Sequence, residues 1–414
     1  MNSLVLRRIK DGVHRFPRGI WLMMVLDILM TMGWSIASPF LALYLHDERD
    51  LSMSLVGWVF LAGGLCTGGA NIIGGMLSDR LGRRRLLIVS SALGALSAGA
   101  MAVLVAISAP TWLVAFMYVV SHSIGGIGGP TFGAIIADLS PKERLAESYA
   151  VVRTGGNFGF AIGPALGGFL VSHWSYGWVL GISAVVSAAV TVVVYLFLKE
   201  SHEGSRAGVD LRSTMAVAGD LQFLVFAVAS VLLVLSIAHM GSTMSVFAVD
   251  RLGFSAAQYG LLLTANGIMV MLFQYPVARW VGKLGRSEGL ILGSLFYAVG
   301  YLSLGWFASF GLTLLTIALI TAGEVTVSPV SSAVVAESSP PDKRGRYMGF
   351  FGLTQTLGLA ISPLFGGVLL DAFPSESRLL WGIIASVGMM AAIVFHIWGR
   401  MLHRGQQVSQ GEMT

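Results

Sequence analysis

Twelve long apolar runs divide the chain, near 20–45, 52–77, 86–107, 111–137, 146–171, 177–198, 221–249, 255–281, 289–308, 310–336, 346–370 and 377–399. Charges, prolines or polar clusters separate each run from the next. A helix needs roughly 20 apolar residues to cross a bilayer's hydrocarbon. The pattern therefore predicts an all-α membrane protein of twelve spans, with both termini on the same side. The first run follows Arg7, Arg8, Lys10, Arg15 and Arg18. It is too long for a signal-peptide core and reads as a retained first span.

Composition points the same way. Of 414 residues, 55% are hydrophobic and only 11% charged, and the mean hydropathy is +0.78. A soluble domain carries roughly 25% charged residues, so a water-soluble globule is excluded. The net charge of +5 is no nucleic-acid footprint, because the basic residues are dispersed among apolar runs. Of the 26 Lys and Arg, 23 fall on the side of the N-terminus, and only Arg49, Arg251 and Arg378 fall on the other. Positive loops stay in the cytoplasm, so the expected setting is the plasma (inner) membrane with cytoplasmic termini and lipids as neighbours. The single cysteine, Cys66, excludes an intramolecular disulfide and a Cys-based metal site.

The chain also repeats itself. Gly159-Phe-Ala-Ile-Gly163-Pro164-Ala-Leu-Gly167-Gly168 recurs 199 residues later as Gly358-Leu-Ala-Ile-Ser362-Pro363-Leu-Phe-Gly366-Gly367. Ala137-Asp138-Leu-Ser140-Pro141 recurs at the same offset as Ala336-Glu337-Ser-Ser339-Pro340. Asp79-Arg80-Leu81-Gly82-Arg83 corresponds more loosely to Gly282-Lys283-Leu284-Gly285-Arg286. The expected domains are thus a six-helix bundle over 1–198, a cytoplasmic linker over 199–220 and a second bundle over 221–414. Parallel repeats about an axis along the membrane normal suit a transporter that rocks around a midplane site.

Between the second and third runs stands Gly75-Met-Leu77-Ser-Asp79-Arg80-Leu-Gly82-Arg83-Arg84-Arg85-Leu-Leu87. It resembles the signature loop of the major facilitator superfamily, G-x-L-a-D-R-x-G-R-[KR]-x-x-L. Gly82 permits the tight turn, and Asp79 can pair with Arg83 or approach a neighbouring helix N-terminus. The resemblance implies a gate that latches the outward-open state, with Asp138 as the acid at the end of span 4. The plainer reading, a positive topology signal, holds as well. In span 5, Gly159, Gly163, Pro164, Gly167 and Gly168 match the antiporter motif g-x-x-x-G-P-x-x-G-G of the twelve-span drug:proton antiporters. Glycines four apart also serve ordinary close packing of helices. One position departs from the family: His122 stands where the span-4 motif carries an arginine, which leaves Arg153 as a candidate for the missing cation.

Charges inside a span cost roughly 2.5–3.5 kcal/mol at the centre, so each needs a reason. Only Asp27 and Glu324, of 21 acids, fall well inside runs. Asp27 shares a stripe with Thr31, Ser35 and Ser38, and Glu324 a face with Thr321, Ser328, Ser331 and Ser332. A proton-driven exchanger requires such a carboxyl, and a structural hydrogen-bonded acid is the alternative. Arg153 and Asn157 make a polar face on span 5, while His122, His239 and Asn266 lie mid-span as substrate or relay candidates. Asn71, Gln274 and Gln355 read as cavity lining or helix–helix bonding.

The expected function is a proton-coupled exporter of amphipathic or cationic organic compounds, working by alternating access as a monomer. No G-x-x-x-x-G-K-[ST] loop stands in the sequence, so the energy source is a proton gradient and no cofactor or metal is expected. An importer or lipid/metabolite transporter of the same fold is the alternative. No H-E-x-x-H or G-x-S-x-G is present, and no enzymatic activity is expected.

Overall fold

The structure is a computed structural model that describes residues 16–141, 144–201, 215–340 and 343–411, without the side chains at 79, 146, 344–345 and 403–411. Its long helices are α1 (Arg18–Leu43), α2 (Met53–Leu81), α3 (Arg83–Ala106), α4 (Thr111–Leu139), α5 (Leu145–His173) and α6 (Tyr176–Phe197). They continue as α7 (Leu221–Ile237), α8 (Ala256–Val281), α9 (Arg286–Ser303), α10 (Phe310–Ser338), α11 (Arg344–Ala372) and α12 (Ser377–Gly411). Each coincides with one predicted run, and no strand occurs among the described residues. Nine of them are long and apolar enough to cross a membrane. Of the remaining three, α5 is diluted by glycines and Asn157, α7 stops early, and α9 opens on Arg286 and Glu288.

The chain forms two compact units. One comprises Met1–Ala37 with Gly69–Val209, the other Ser38–Gly68 with Asp210–Thr414. The end of α1 and the start of α2 therefore belong with the second unit rather than with residues 1–198. Two features of that unit hold them. The Asp371 carboxylate accepts the backbone N–H groups of Met53 at 3.0 Å and Ser54 at 2.7 Å, capping the first turn of α2. Gly64 then lets α2 approach α11, where an added Cβ would lie 2.6 Å from that of Ala360.

In the first unit, Ile20, Met23 and Leu26 on one face of α1 pack against Leu87, Phe132, Ile135, Val190 and Val194. That face is apolar, so the Asp27 stripe is left for another neighbour. In the second unit, α9 packs along α10 and α12, with Trp381 stacked on Tyr301 at 5.6 Å between ring centroids. Trp112, Trp174 and Trp178 are exposed near helix ends, as an interfacial belt requires. Trp398, in the last helix, is instead buried against Phe226 at 5.3 Å.

The run at 221–249 is not one helix. It breaks after Ile237, turns through His239–Ser242, and resumes as a short helix Thr243–Val246 and a π-helical turn Phe247–Arg251. A break inside a bilayer frees carbonyls that must be satisfied by protein. Tyr301 Oη donates to Ile237 O at 2.7 Å, and Tyr259 Oη donates to Met240 O. No charge or proline marks this break; within the run only the stretch His239-Met240-Gly241-Ser242-Thr243 departs from the apolar pattern by more than a single residue.

Candidate transport-site residues and the signature loop

Two of the antiporter-motif glycines, Gly159 and Gly163, face α1. An added Cβ at Gly159 would overlap the Ile28 carbonyl, and one at Gly163 would overlap Ser35 Oγ and lie 3.0 Å from Met32 O. Gly155 and Gly156 extend the seam: a Cβ at Gly156 would lie 2.5 Å from Asp27 Oδ2 and 3.4 Å from Thr31 Oγ1. So the Asp27–Thr31–Ser35 stripe is covered by the glycine face of α5. Small residues there permit backbone approach, and Asp27 becomes half-buried without a side chain of its own size opposite. Pro164 lies inside α5, and Gly167 and Gly168 are buried beyond it.

The repeat reproduces this seam with different chemistry. Gly358 faces Val234, and an added Cβ at Gly366 would meet Thr243 Oγ1 and lie 2.8 Å from His239 Nδ1. Where Gly163 stands in the first unit, Ser362 stands in the second, donating to Leu235 O at 3.2 Å. His239 is fully buried, 3.1 Å from Thr243 Oγ1 and 3.5 Å from Ser362 Oγ, at the break in α7. It is thus a packed node of the second unit.

Glu324 sits halfway along α10. Asn266 on α8, 4% exposed, donates its Nδ2 to Glu324 Oε2 at 3.1 Å and to Thr321 Oγ1 at 2.9 Å. Thr321 Oγ1 in turn donates to Ile317 O at 2.7 Å. Gln274, two turns beyond Asn266, donates to Val325 O at 3.4 Å. The four residues join α8 to α10 by polar contacts, with the carboxylate half-buried at their centre. Spacing alone placed Thr321 beside Glu324, but nothing in the sequence paired Asn266 with either.

The other candidates are more dispersed. His122 is half-buried, with Nδ1 3.2 Å from Tyr118 O and its ring 3.9 Å from the Tyr118 ring. Arg153 is exposed on α5, and Asn157 is half-buried one turn later. Phe160, on that same side of α5, stacks with exposed Trp34 of α1 at 6.4 Å.

At the signature loop, Gly82 adopts φ +90°, the turn that only glycine makes readily. Gly75 is half-buried in α2 and Arg80 is exposed at its end, while the Asp79 side chain lies outside the described residues. Arg83 forms an ion pair with Asp138 and donates Nη1 to Ala134 O at 2.8 Å, fastening the loop to the end of α4. The second unit contains the same device. Arg286 donates Nε to Glu337 Oε2 at 3.1 Å and Nη2 to Oε1 at 2.5 Å, a two-point guanidinium–carboxylate contact. The offset between repeats pointed to Glu337 in advance.

Three residues passed over in the sequence gather elsewhere in the second unit. His46 Nε2 lies 3.3 Å from Asp250 Oδ2, and His46 Nδ1 lies 2.7 Å from Leu51 O. With Asp47, these are the described residues whose ligand atoms come within 4.8 Å of one another. With a protonated imidazole the His46–Asp250 contact is an ion pair. Their separation in sequence gave no signal.

Comparison with known proteins follows the same outline. The family model of the Major Facilitator Superfamily matches twice, over residues 23–237 and 221–412. A Bacillus subtilis protein described as an uncharacterized MFS-type transporter, YttB, is 25% identical over 88% of this chain and 91% of its own. A Na(+), Li(+), K(+)/H(+) antiporter of Planococcus maritimus is 23% identical, covering 86% of this chain and 90% of its own. Multidrug resistance protein MdtH of Proteus mirabilis is 22% identical over 91% and 94%. Among solved structures, a POT family transporter in complex with a thioalcohol-conjugated peptide superposes with a TM-score of 0.76 at 13% identity, covering 93% of this chain and 96% of that one. The twelve long helices among the described residues, the duplicated seam and loop, and a family match spanning nearly the whole chain identify it as a member of the major facilitator superfamily: a multi-pass membrane transporter of small molecules.

Proposed function

We propose that the protein exchanges protons for amphipathic or cationic organic compounds, exporting the compound by alternating access. The observation that carries this reading is Glu324, an acid in the middle of α10 whose Oε2 accepts Asn266 Nδ2 at 3.1 Å across to α8. In this reading a carboxyl so placed, inside the span and tied to a neighbouring helix, gains and loses a proton as its surroundings alternate. Asp27, against the glycine seam of α5, is the second acid in this role. The antiporter-motif match and the relatives named as an antiporter and a multidrug resistance protein support export. In this reading the carrier is a monomer in the plasma membrane with cytoplasmic termini. It uses the proton gradient without cofactor or metal and carries out no enzymatic reaction.

A second reading, proton-coupled import or lipid/metabolite transport, rests on one departure: His122 occupies the position where the family's span-4 motif carries an arginine. Reconstitution in liposomes with an imposed pH gradient separates the two. Ethidium, as a cationic probe, is expected to move uphill against the inward proton flux and to stop when a protonophore is added. Glu324→Gln should abolish uphill movement while the purified protein keeps its thermal unfolding transition. Probe movement indifferent to the protonophore would remove proton coupling, and proton and solute moving in the same direction would establish the importer.

A further inference from the structure

Helix α3 starts where a helix is hard to start. Four N–H groups in a first turn lack partners, and the helix dipole places positive charge there. The residue preceding α3 is Gly82, with no side chain to accept from those amides, and the first three helical residues are Arg83, Arg84 and Arg85. The repeat places an acid at the same turn within the helix. There Gly285 precedes α9 and Arg286 opens it, but the third helical residue is Glu288, whose carboxylate folds back over Gly285. The corresponding position in α3 is Arg85.

The missing acid comes from the other end of the unit. Glu200, three residues after α6 ends, accepts the Arg84 backbone N–H through Oε1 at 3.1 Å, and its Oε2 lies 2.8 Å from where a Cβ on Gly82 would stand. The same Oε1 accepts the Ser201 N–H at 3.2 Å, and Ser201 Oγ donates to Asp138 Oδ2 at 2.8 Å. Asp138 is the acid paired with Arg83. Arg84 also donates Nη2 to Tyr195 O at 2.7 Å, near the end of α6. Both neighbours of Gly82 on the α3 side are thus tied to the residues with which the linker begins.

We propose that Glu200 is the N-cap of α3, supplied in trans, and that with Ser201 it straps the start of the linker to the signature loop. Glu200 is then a positioning residue of the loop. The inference requires only that the chain has this loop and linker. It is independent of the direction of transport and of the coupling ion.

Full-length protein in lipid nanodiscs tests it by residue-resolved hydrogen–deuterium exchange and limited trypsin digestion. Glu200→Ala should make the Arg84 amide exchange roughly fivefold faster, the size of a lost N-cap. Cleavage after Lys199 should accelerate severalfold, because a protease needs several residues of released chain around the scissile bond. Adding Arg85→Glu recreates the Gly285–Glu288 arrangement and should restore protection at Arg84 while cleavage after Lys199 stays fast. Only a cap and a strap carried by one side chain separate in this way. Glu200→Gln, which keeps an acceptor without the charge, should lie between wild type and Glu200→Ala, and serves where the alanine variant does not fold. Unchanged Arg84 exchange in both single variants overturns the cap. Unchanged cleavage after Lys199, or its return to the wild-type rate in the double variant, overturns the strap.

Discussion

Asn266 on α8 and Glu324 on α10 are joined by a 3.1 Å hydrogen bond, and the same Asn266 nitrogen reaches Thr321 at 2.9 Å. Side-chain hydrogen bonds inside membranes average about 0.6 kcal/mol and reach about 1.7 kcal/mol. Asn266→Leu, which conserves volume and removes both bonds, should cost about 1–2 kcal/mol in denaturant unfolding in detergent. It should also displace the pH profile of transport, since the carboxylate loses its donor. A profile identical to wild type would separate Asn266 from the work of Glu324.

The seam between α5 and α1 predicts an asymmetry between the repeats. At Gly163 an added Cβ would overlap Ser35 Oγ and sit 3.1 Å from the Ile36 nitrogen. Gly163→Val should therefore destabilise by about 1–3 kcal/mol, the usual cost of overpacking. Ser362→Ala, at the matching position, loses the bond to Leu235 O and the 3.5 Å contact with His239 without adding bulk, and should cost about 1 kcal/mol or less. Thermal unfolding of the two variants side by side checks this, and equal losses would mean the seam is not the source.

Asp371 holds the first turn of α2 with both carboxylate oxygens. Removing a capping side chain costs roughly 0.5–2 kcal/mol. Asp371→Ala should accelerate exchange of the Met53 and Ser54 amides by about tenfold, a loss inside that range. The Val56 amide, which bonds to the Ser52 carbonyl at 3.1 Å, should change less. Wild-type protection at Met53 and Ser54 in that variant would dismiss the cap.

Arg286 and Glu337 form an exposed pair, whereas Arg83 and Asp138 are more enclosed and Asp138 also accepts from Ser201. Exposed ion pairs contribute about 0–1 kcal/mol and weaken with salt. Glu337→Gln should therefore leave stability within about 1 kcal/mol of wild type. Asp138→Asn should release Arg83 and slow transport of the fluorescent probe at every salt concentration. Comparing both variants at low and high ionic strength measures the difference.

Most of the architecture was legible in the chain because a bilayer imposes it. Each span must be long, apolar and helical, so each of the twelve runs holds one long helix, although α7 stops at Ile237 inside its run and α12 continues to Gly411 beyond its own. The repeat was legible for a related reason: Gly163 and Ser362 answer to the same close approach of a neighbouring helix. The site was read less completely. Asp27 and Glu324 stood out because a charge inside an apolar run is costly anywhere. Trp398 shows the limit of position alone: lying near a run's end does not tell which face of the helix a residue occupies, and this one is buried against Phe226.

The sequence by itself determined the number of helices, the duplication, the signature loop and the two acids inside spans. All of these follow from local composition, from spacing or from the cost of charge in hydrocarbon. Only the tertiary structure decided the partners. Asn266 meets Glu324 across 58 residues, Asp371 meets Ser54 across 317, and Glu200 meets Arg84 across 116. It also decided that the run at 221–249 breaks at His239, since tyrosines from α8 and α9 supply the hydrogen bonds that the broken helix gives up. A polar group needs a partner of the right kind at about 3 Å, and which residue fills that place depends on how helices pack rather than on what stands next to it in the chain.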